Sequence, residues 1–518
     1  MVLLFIIPDC IKILFSGIYA LLKERTGIIM NKKTKTAVLA GTGALLAGNA
    51  VYAALHKPKK KELMPFEQEN VNVQRYTEVL QGAIRCKTVS NPDEDKMDWG
   101  EFEKLHKLFE EKYPLIHSKL KKEIIGKAGL VFVWEGKDPS LKPIALIGHQ
   151  DVVPVPKEKV ADWIHPPFSG DIDDGCLWGR GTTDMKHHVV AVLESVETLL
   201  EDGFEPTRSV YLCFGYNEEV VDTEKNSATI IANTLKERGI ELESVLDEGG
   251  AVLDLKVPAV INRQVMGIGI AETGYCDFEI SIDAKGGHSA APPDHSAVGE
   301  LAKAITRLEN HQFKARILPE FSRVADILSR NLEYPARLVG AHLKPLLSVM
   351  KPVITKIPPA ATFVRTTTAV TMTSGSPQAN VLPQKATATI NFRVLPGNTI
   401  ADVEKHIRKV VKNKKVNVRF IGGNEPSNIS PIDTDSFKAI DKVCSSIHRN
   451  SMTVPFIVMG GTDSRHYQIV TDQIYRFSPF LMKPDYLMLG HGTNERVPVD
   501  CFEGGLNFFK KYIKTMAG

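Results

Sequence analysis

Residues 143–156 read PIALIGHQDVVPVP, and the fold is decided there. Ile144 to Ile147 form a short apolar run of the kind found in strands buried on both faces. Gly148 interrupts the run, and His149 and Asp151 follow with Gln150 between them. Positions two apart in an extended chain point to the same side. An imidazole and a carboxylate therefore leave the end of a buried strand together. That pair suits a metal ligand and a group that orients it. Taken alone, it serves equally as a satisfied histidine followed by an Asx-turn.

Working outward, apolar strands alternate with helices. Strands are expected at 130–134, 143–147, 209–214 (SVYLCF) and 243–246, with helices at 66–90, 101–113, 187–201 and 229–238. This alternation implies an α/β fold: a mainly parallel sheet with helices on both faces. From 275 the pattern changes. Strands at 275–284, 369–373, 385–394 and 416–421 with helices at 296–308 and 400–412 give a β-α-β-β-α-β order. That order fits a small inserted α+β domain. Between its halves, 317–361 is apolar, helical in tendency and broken by Pro335, Pro345, Pro352, Pro358 and Pro359. The expected division is 63–268 and 423–518 for one catalytic domain and 269–422 for an inserted lid or dimerisation domain.

A chain of 518 residues suits two or three domains at roughly 100–200 residues each. The net charge of +3 gives no basis for nucleic-acid binding. Seven scattered cysteines without CxxC spacing supply neither a disulfide framework nor a thiolate zinc site. Residues 1–62 are expected to lie outside the globular fold. Within them, 36–55 (TAVLAGTGALLAGNAVYAAL) carries no charge and has about the 20 residues needed to cross a bilayer. It is flanked by Lys32, Lys33, Lys35 and Lys57, Lys59, Lys60, Lys61. A membrane anchor is favoured over a cleaved signal peptide, which implies a membrane-anchored or secretory protein. Met30 is a second candidate start.

Beyond the buried strands stand His149 and Asp151, Asp184, Glu218 and Glu219, Asp247, and His491. Open α/β sheets place their chemistry at the carboxyl ends of strands. Several acids converging there are costly unless a cation offsets them, and two divalent ions suffice. Imidazole and carboxylate donors without thiolate suit zinc, with cobalt or manganese as alternatives. A pair of metals needs a bridging carboxylate, for which Asp184 is the candidate. Of the adjacent Glu218 and Glu219, one ligates and the other is free to take a proton from a metal-activated water.

The motifs GHQDVVPV, WGRGTTDMK, NEEV, LDEGG, GGHSA, GGTDSR and GHGTNE resemble those of the co-catalytic zinc metallopeptidases. That family includes aminoacylase-1, glutamate carboxypeptidase and carboxypeptidase S. The resemblance runs in order from about residue 66 to the end. It is strongest to the carboxypeptidase S branch, which also holds N-fatty-acyl-amino acid synthase/hydrolases. It implies two zinc ions, one on His149 and Asp247 and the other on Glu219 and His491, bridged by Asp184. Asp151 would orient His149, and Glu218 would be general base and then proton donor. His288 would stabilise the oxyanion from the lid domain, and Arg465 would bind a substrate carboxylate as a bidentate fork. Asn380 and Arg393 match lid positions near substrate. His165, His187, His188 and His466 match no ligand position. The lid domain resembles one that forms homodimers.

The expected activity is zinc-dependent hydrolysis of a peptide or N-acyl amide bond beside an amino acid with a free carboxylate. A carboxypeptidase on short peptides and an N-fatty-acyl-amino acid hydrolase or synthase differ only in the acyl-side pocket. A non-catalytic, membrane-anchored binding module is the third reading. The apolar 317–361 segment either packs as lid core or receives acyl chains.

Overall fold

The computed structural model describes residues 47–220 and 225–518. Its described residues divide into two compact units, 59–271 with 429–518, and 47–58 with 272–428.

Along the chain, the first unit begins with helices α1 (Val73–Arg85) and α2 (Trp99–Lys112). Strands β1 (Lys121–Ile125), β2 (Gly129–Trp134) and β3 (Ile144–His149) follow. Next come α3 (Lys186–Glu201), β4 (Val210–Gly215), α4 (Ser227–Glu237) and β5 (Ser244–Asp247). A hairpin of β6 (Ala251–Val257) and β7 (Ile261–Glu272) leads out of this part. The inserted unit holds β8 (Gly274–Asp283), α5 (Ala297–Asn310), α6 (Pro319–Asn331), α7 (Tyr334–Gly340) and α8 (Leu343–Ile354). It continues with β9 (Thr367–Ser374), β10 (Lys385–Val394), α9 (Ile400–Val411) and β11 (Val416–Asn424). The chain then returns to the first unit through α10 (Asp435–Ile447), β12 (Ser451–Val458), β13 (Ile474–Arg476), β14 (Leu481–Met482) and α11 (Phe502–Ala517).

Among the described residues, ten strands form the large sheet, in the order β1-β2-β4-β3-β5-β13-β7-β6-β14, with β12 also paired to β7. The centre is parallel: β3 lies between β4 and β5, and β13 joins β5. Every residue of β3 is buried, as its unbroken apolar run demands. The strand does not stop at Gly148. A Cβ there would meet Met185 Cε at 2.7 Å, so the missing side chain makes room for Met185 while the strand runs on to His149.

Helix α3 is buried along almost its whole length, including its charged residues. Lys186 Nζ donates to the carbonyls of Ala83 (2.9 Å) and Cys86 (2.6 Å) at the end of α1. Glu194 pairs with Arg75, and Glu197 accepts the amides of Leu115 and Ile116. Each buried charge is thus compensated, as a low-dielectric interior requires. The result anchors the start of α3, the segment that follows Asp184.

In the inserted unit, a four-stranded antiparallel sheet runs β9-β10-β8-β11. Its alternating strands place Phe278, Ile280, Ile390 and Phe392 in one core with Leu301, Leu308, Val403 and Ile407 of α5 and α9. The proline-broken segment forms α6 to α8, with prolines taking the first helical turn of α6 and α7. Phe321, Ala325, Leu347, Met350 and Ile354 build a second small core there, and Leu328 is likewise buried. Val349 of α8, by contrast, is 76% exposed.

The sequence reading set residues 1–62 apart, whereas the structure groups 47–58 with the inserted unit. The helical stretch 47–55 docks on α6 and α7 and the turn after them. Asn49 Nδ2 donates to the Leu338 carbonyl at 3.0 Å, and Asn49 Oδ1 meets His342 Nε2 at 2.7 Å. His56 Nε2 meets Ser329 Oγ at 2.9 Å, and the Tyr52 ring stacks on His342. Most of the expected membrane span, 36–46, and the candidate starts lie outside the described residues. No helix among the described residues is long and apolar enough to cross a membrane.

Candidate metal centre

His149 ends β3 and is 1% exposed. Its Nδ1 donates to the Asp151 carbonyl at 3.0 Å and lies 3.4 Å from Asp151 Oδ1. A hydrogen bond at one ring nitrogen fixes which nitrogen is left for other work. Nε2 accordingly faces a group of acids: Asp184 Oδ1 at 3.1 Å and Glu248 Oε1 at 3.3 Å.

Parallel neighbours β3 and β4 are in register at His149 and Gly215, so the chain after β4 emerges beside His149. Asp151 captures it. Its Oδ1 accepts the Glu218 amide and its Oδ2 the Glu219 amide, each at 3.2 Å. One buried carboxylate therefore sets both the imidazole and the two-glutamate turn. On the far side, His491 Nε2 lies 3.0 Å from Asp184 Oδ2 and 3.0 Å from Glu219 Oε2. Asp184 stands between two imidazoles, one on each carboxylate oxygen. His491 adopts φ +62, a left-handed conformation uncommon for a residue with a Cβ.

The electrostatics of the site are those of crowded acids. Burial pushes the Glu218 carboxyl well up, and nearby Glu248, Asp463 and Glu219 add to it against the pull of His149. Burial and Asp184 push Glu248 up to about 8. Glu219 is raised by burial despite its bond to His491. Hydrogen bonds that His491 donates to Asp184 and Glu219 raise it to about 10. Against the cost of its burial, His149 and His491 hold the Asp184 carboxyl below the ordinary range.

The donor set fits a divalent ion. Ligand atoms of His149, Asp184 and Glu219 lie within 4.8 Å of one another, as do those of His149, Glu218 and Glu248. Nitrogen and oxygen donors without sulfur suit zinc, cobalt or manganese.

Beside the expected ligands the structure sets one further acid. It brings Glu248, not Asp247, to His149. Asp247 closes β5, and successive side chains on a strand face opposite ways. Its Oδ2 accepts the Ser464 amide at 3.1 Å. Asp247 thereby holds the turn that carries Arg465. On that turn, a Cβ on Gly461 would meet Arg465 Nη2 at 2.6 Å, so the glycine leaves space for the guanidinium.

His288, Asn380 and Arg393 belong to the inserted unit. His288 is exposed on a two-residue ladder facing Val381, and the Ser289 amide donates to the Asn380 carbonyl at 3.1 Å. Arg393 is exposed on β10, its guanidinium 5.7 Å from the Tyr275 ring centre. His187 and His188 are buried in α3, where burial lowers both. His466 bonds Thr229, and His165 sits between Asp171 and Asp173. Unread in the sequence were Glu248, masked by its neighbour, and Asp463, a buried acid bonded to Asn226 and pushed up to about 7 by burial. Asp463 lies in the GGTDSR motif two residues before Arg465.

Residues 145–515 match the family described as peptidase family M20/M25/M40. A "Probable carboxypeptidase S-like 2" of Dictyostelium discoideum is 35% identical over 485 residues, covering 92% of each chain. An "N-fatty-acyl-amino acid synthase/hydrolase PM20D1" of Xenopus tropicalis is 32% identical over 470 residues, covering 89% of this chain and 90% of its own. Among solved structures, an M20 family metallo-carboxypeptidase of Sulfolobus solfataricus shares the fold with a TM-score of 0.62 at 18% identity. The match covers 85% of this chain and 98% of that one. On the match over most of its length, this chain belongs to peptidase family M20/M25/M40 and is a hydrolytic enzyme.

Proposed function

We propose that the chain is a carboxypeptidase S-like enzyme with two zinc ions, held by His149, Asp184, Glu219, Glu248 and His491. It hydrolyses an amide bond next to an amino acid whose carboxylate is free. The observation that carries this reading is Asp184, with one carboxylate oxygen on His149 and the other on His491. When bound, such ions polarise the amide carbonyl and lower the pKa of water to about 7.

The chain's own groups do the rest. Asp151 holds Glu218 and Glu219 by their amides, so their side chains are set before substrate arrives. Glu218 takes a proton from the attacking water and passes it to the leaving nitrogen. A buried carboxyl with a raised pKa is suited to carrying that proton at neutral pH. Arg465 receives the substrate carboxylate as a two-pronged donor. His288, Asn380 and Arg393 are kept as substrate-side candidates on the family resemblance alone.

N-fatty-acyl-amino acid hydrolysis is the second reading, favoured by the PM20D1 relative. The burial of Leu328 and Leu347 tips the balance toward peptides, because these side chains are spent on lid packing. Offered side by side to the zinc-loaded chain, blocked dipeptides are expected to turn over faster than long-chain acyl amino acids. The reverse preference would make it a lipid amidase.

We also propose a homodimer through β9. This strand, TTAVTMTS, is the edge of its sheet, carries no charge and leaves Met372 66% exposed. Such an edge pairs readily with a second strand. Sedimentation is expected to give twice the chain mass of 57.3 kDa. A species of single chain mass at all concentrations would contradict this.

A further inference from the structure

Five donor groups converge on one carboxylate, that of Glu495. It is fully buried and follows His491 by four residues. Its Oε1 accepts the amides of Gly181 (3.0 Å), Thr183 (2.9 Å) and Asp184 (3.3 Å), and the Thr183 hydroxyl at 3.0 Å. Its Oε2 pairs with Arg180 Nη1. Arg180 is itself buried, and its Nη2 reaches back to the carbonyls of His491 and Gly492, each at 3.1 Å. The Glu495 carbonyl accepts the Gly179 amide at 2.9 Å.

Two loops are joined by these bonds. One, 179–184, ends in Asp184. The other, 490–495, carries His491. Neither is a regular helix or strand, and the second holds two non-glycine residues at positive φ, +62 at His491 and +63 at Asn494. Left alone, such loops sample other conformations, and the 3.0 Å approach of His491 to Asp184 would be lost with them. The donors all stand on the 179–184 loop and converge on a charged acceptor of the other loop, and Arg180, being buried, needs that carboxylate as its counter-ion.

We infer that Glu495, clamped by Arg180, is the positioning residue that fixes the distance between Asp184 and His491 and so the affinity of the site they share. It touches neither substrate nor metal. The inference rests on the proposed metal centre and adds a determinant of it.

The test uses the full chain and its Glu495→Gln variant, each stripped of metal and titrated with zinc against a chromophoric chelator. Glutamine keeps the size and one acceptor but turns an NH2 toward Arg180. Zinc affinity is expected to fall about 10–100-fold, the usual cost of losing a partner of a ligand. The kcat should fall while KM stays within about threefold. Arg180→Lys keeps a charge for Glu495 but loses the fork onto the His491 loop. It should show a smaller drop in the same direction, and it carries the test if Glu495→Gln does not fold. Unchanged zinc affinity in the folded variants, with only a lower melting temperature, would overturn the inference and leave Glu495 as fold support. Failure of the unaltered chain to bind zinc would instead overturn the metal centre itself.

Discussion

Replacing Glu218 by Gln is expected to lower kcat by about 10²–10⁴-fold, the range for loss of a positioned general base, with zinc content unchanged. The amide is nearly isosteric, and the Glu218 backbone amide still donates to Asp151. The ion-holding groups His149, Asp184, Glu219, Glu248 and His491 are untouched. What disappears is the proton carrier. The metal-free variant should also be more resistant to heat than the metal-free parent, because one acid leaves a crowded group whose carboxyls are raised by burial and by each other. Zinc content by elemental analysis and single-turnover rates check both parts. Loss of zinc in the variant would show that Glu218 is a ligand, and a rate within tenfold of the parent would show that it is not the base.

The second large effect separates two adjacent acids. Glu248→Gln is expected to weaken zinc binding by about 100-fold or more, since losing a mere partner of a ligand already costs about 10–100-fold. Asp247→Asn should keep zinc. Its amide oxygen can still accept the Ser464 amide, 3.1 Å away in the parent. Its cost should appear in KM for substrates with a free carboxylate, through slackening of the turn that carries Arg465. Zinc titration and steady-state kinetics on the two variants decide the matter. Zinc lost from Asp247→Asn and kept by Glu248→Gln would return the ligand role to Asp247.

That pair marks where legibility in the sequence ended. The apolar run before His149 announces a buried strand, and Lys385–Val394 alternates so regularly that its bounds in the structure are those of the pattern. His149 ends a strand, Glu219 follows one and Asp184 precedes a helix, whereas His491 arrives on the irregular 490–495 loop. Which of Asp247 and Glu248 faces His149 depends on where β5 stops, and a one-residue shift reverses the faces of a strand. Strand β7 was hidden by its glycines, which weaken the strand pattern. The packing requires them: a Cβ on Gly269 would meet Val458 at 2.6 Å and Arg476 at 2.9 Å. Helix α10, by contrast, carries a readable signal, with Phe437, Ile440, Val443 and Cys444 at helical spacing behind the Thr434 cap. The docking of 47–55 on the inserted unit has no local signature, because its partners Ser329, Leu338 and His342 lie nearly 300 residues away.

Amide hydrolysis at this centre is expected to depend on metal. The most direct measurement is hydrolysis of a blocked dipeptide with a free carboxyl terminus by the full chain, before chelation, after chelation and after return of zinc. The account predicts turnover, its loss with the metal, and its recovery as zinc is restored to two per chain. Turnover that survives complete removal of metal, or a fully zinc-loaded chain that cleaves neither dipeptides nor acyl amino acids, would contradict it.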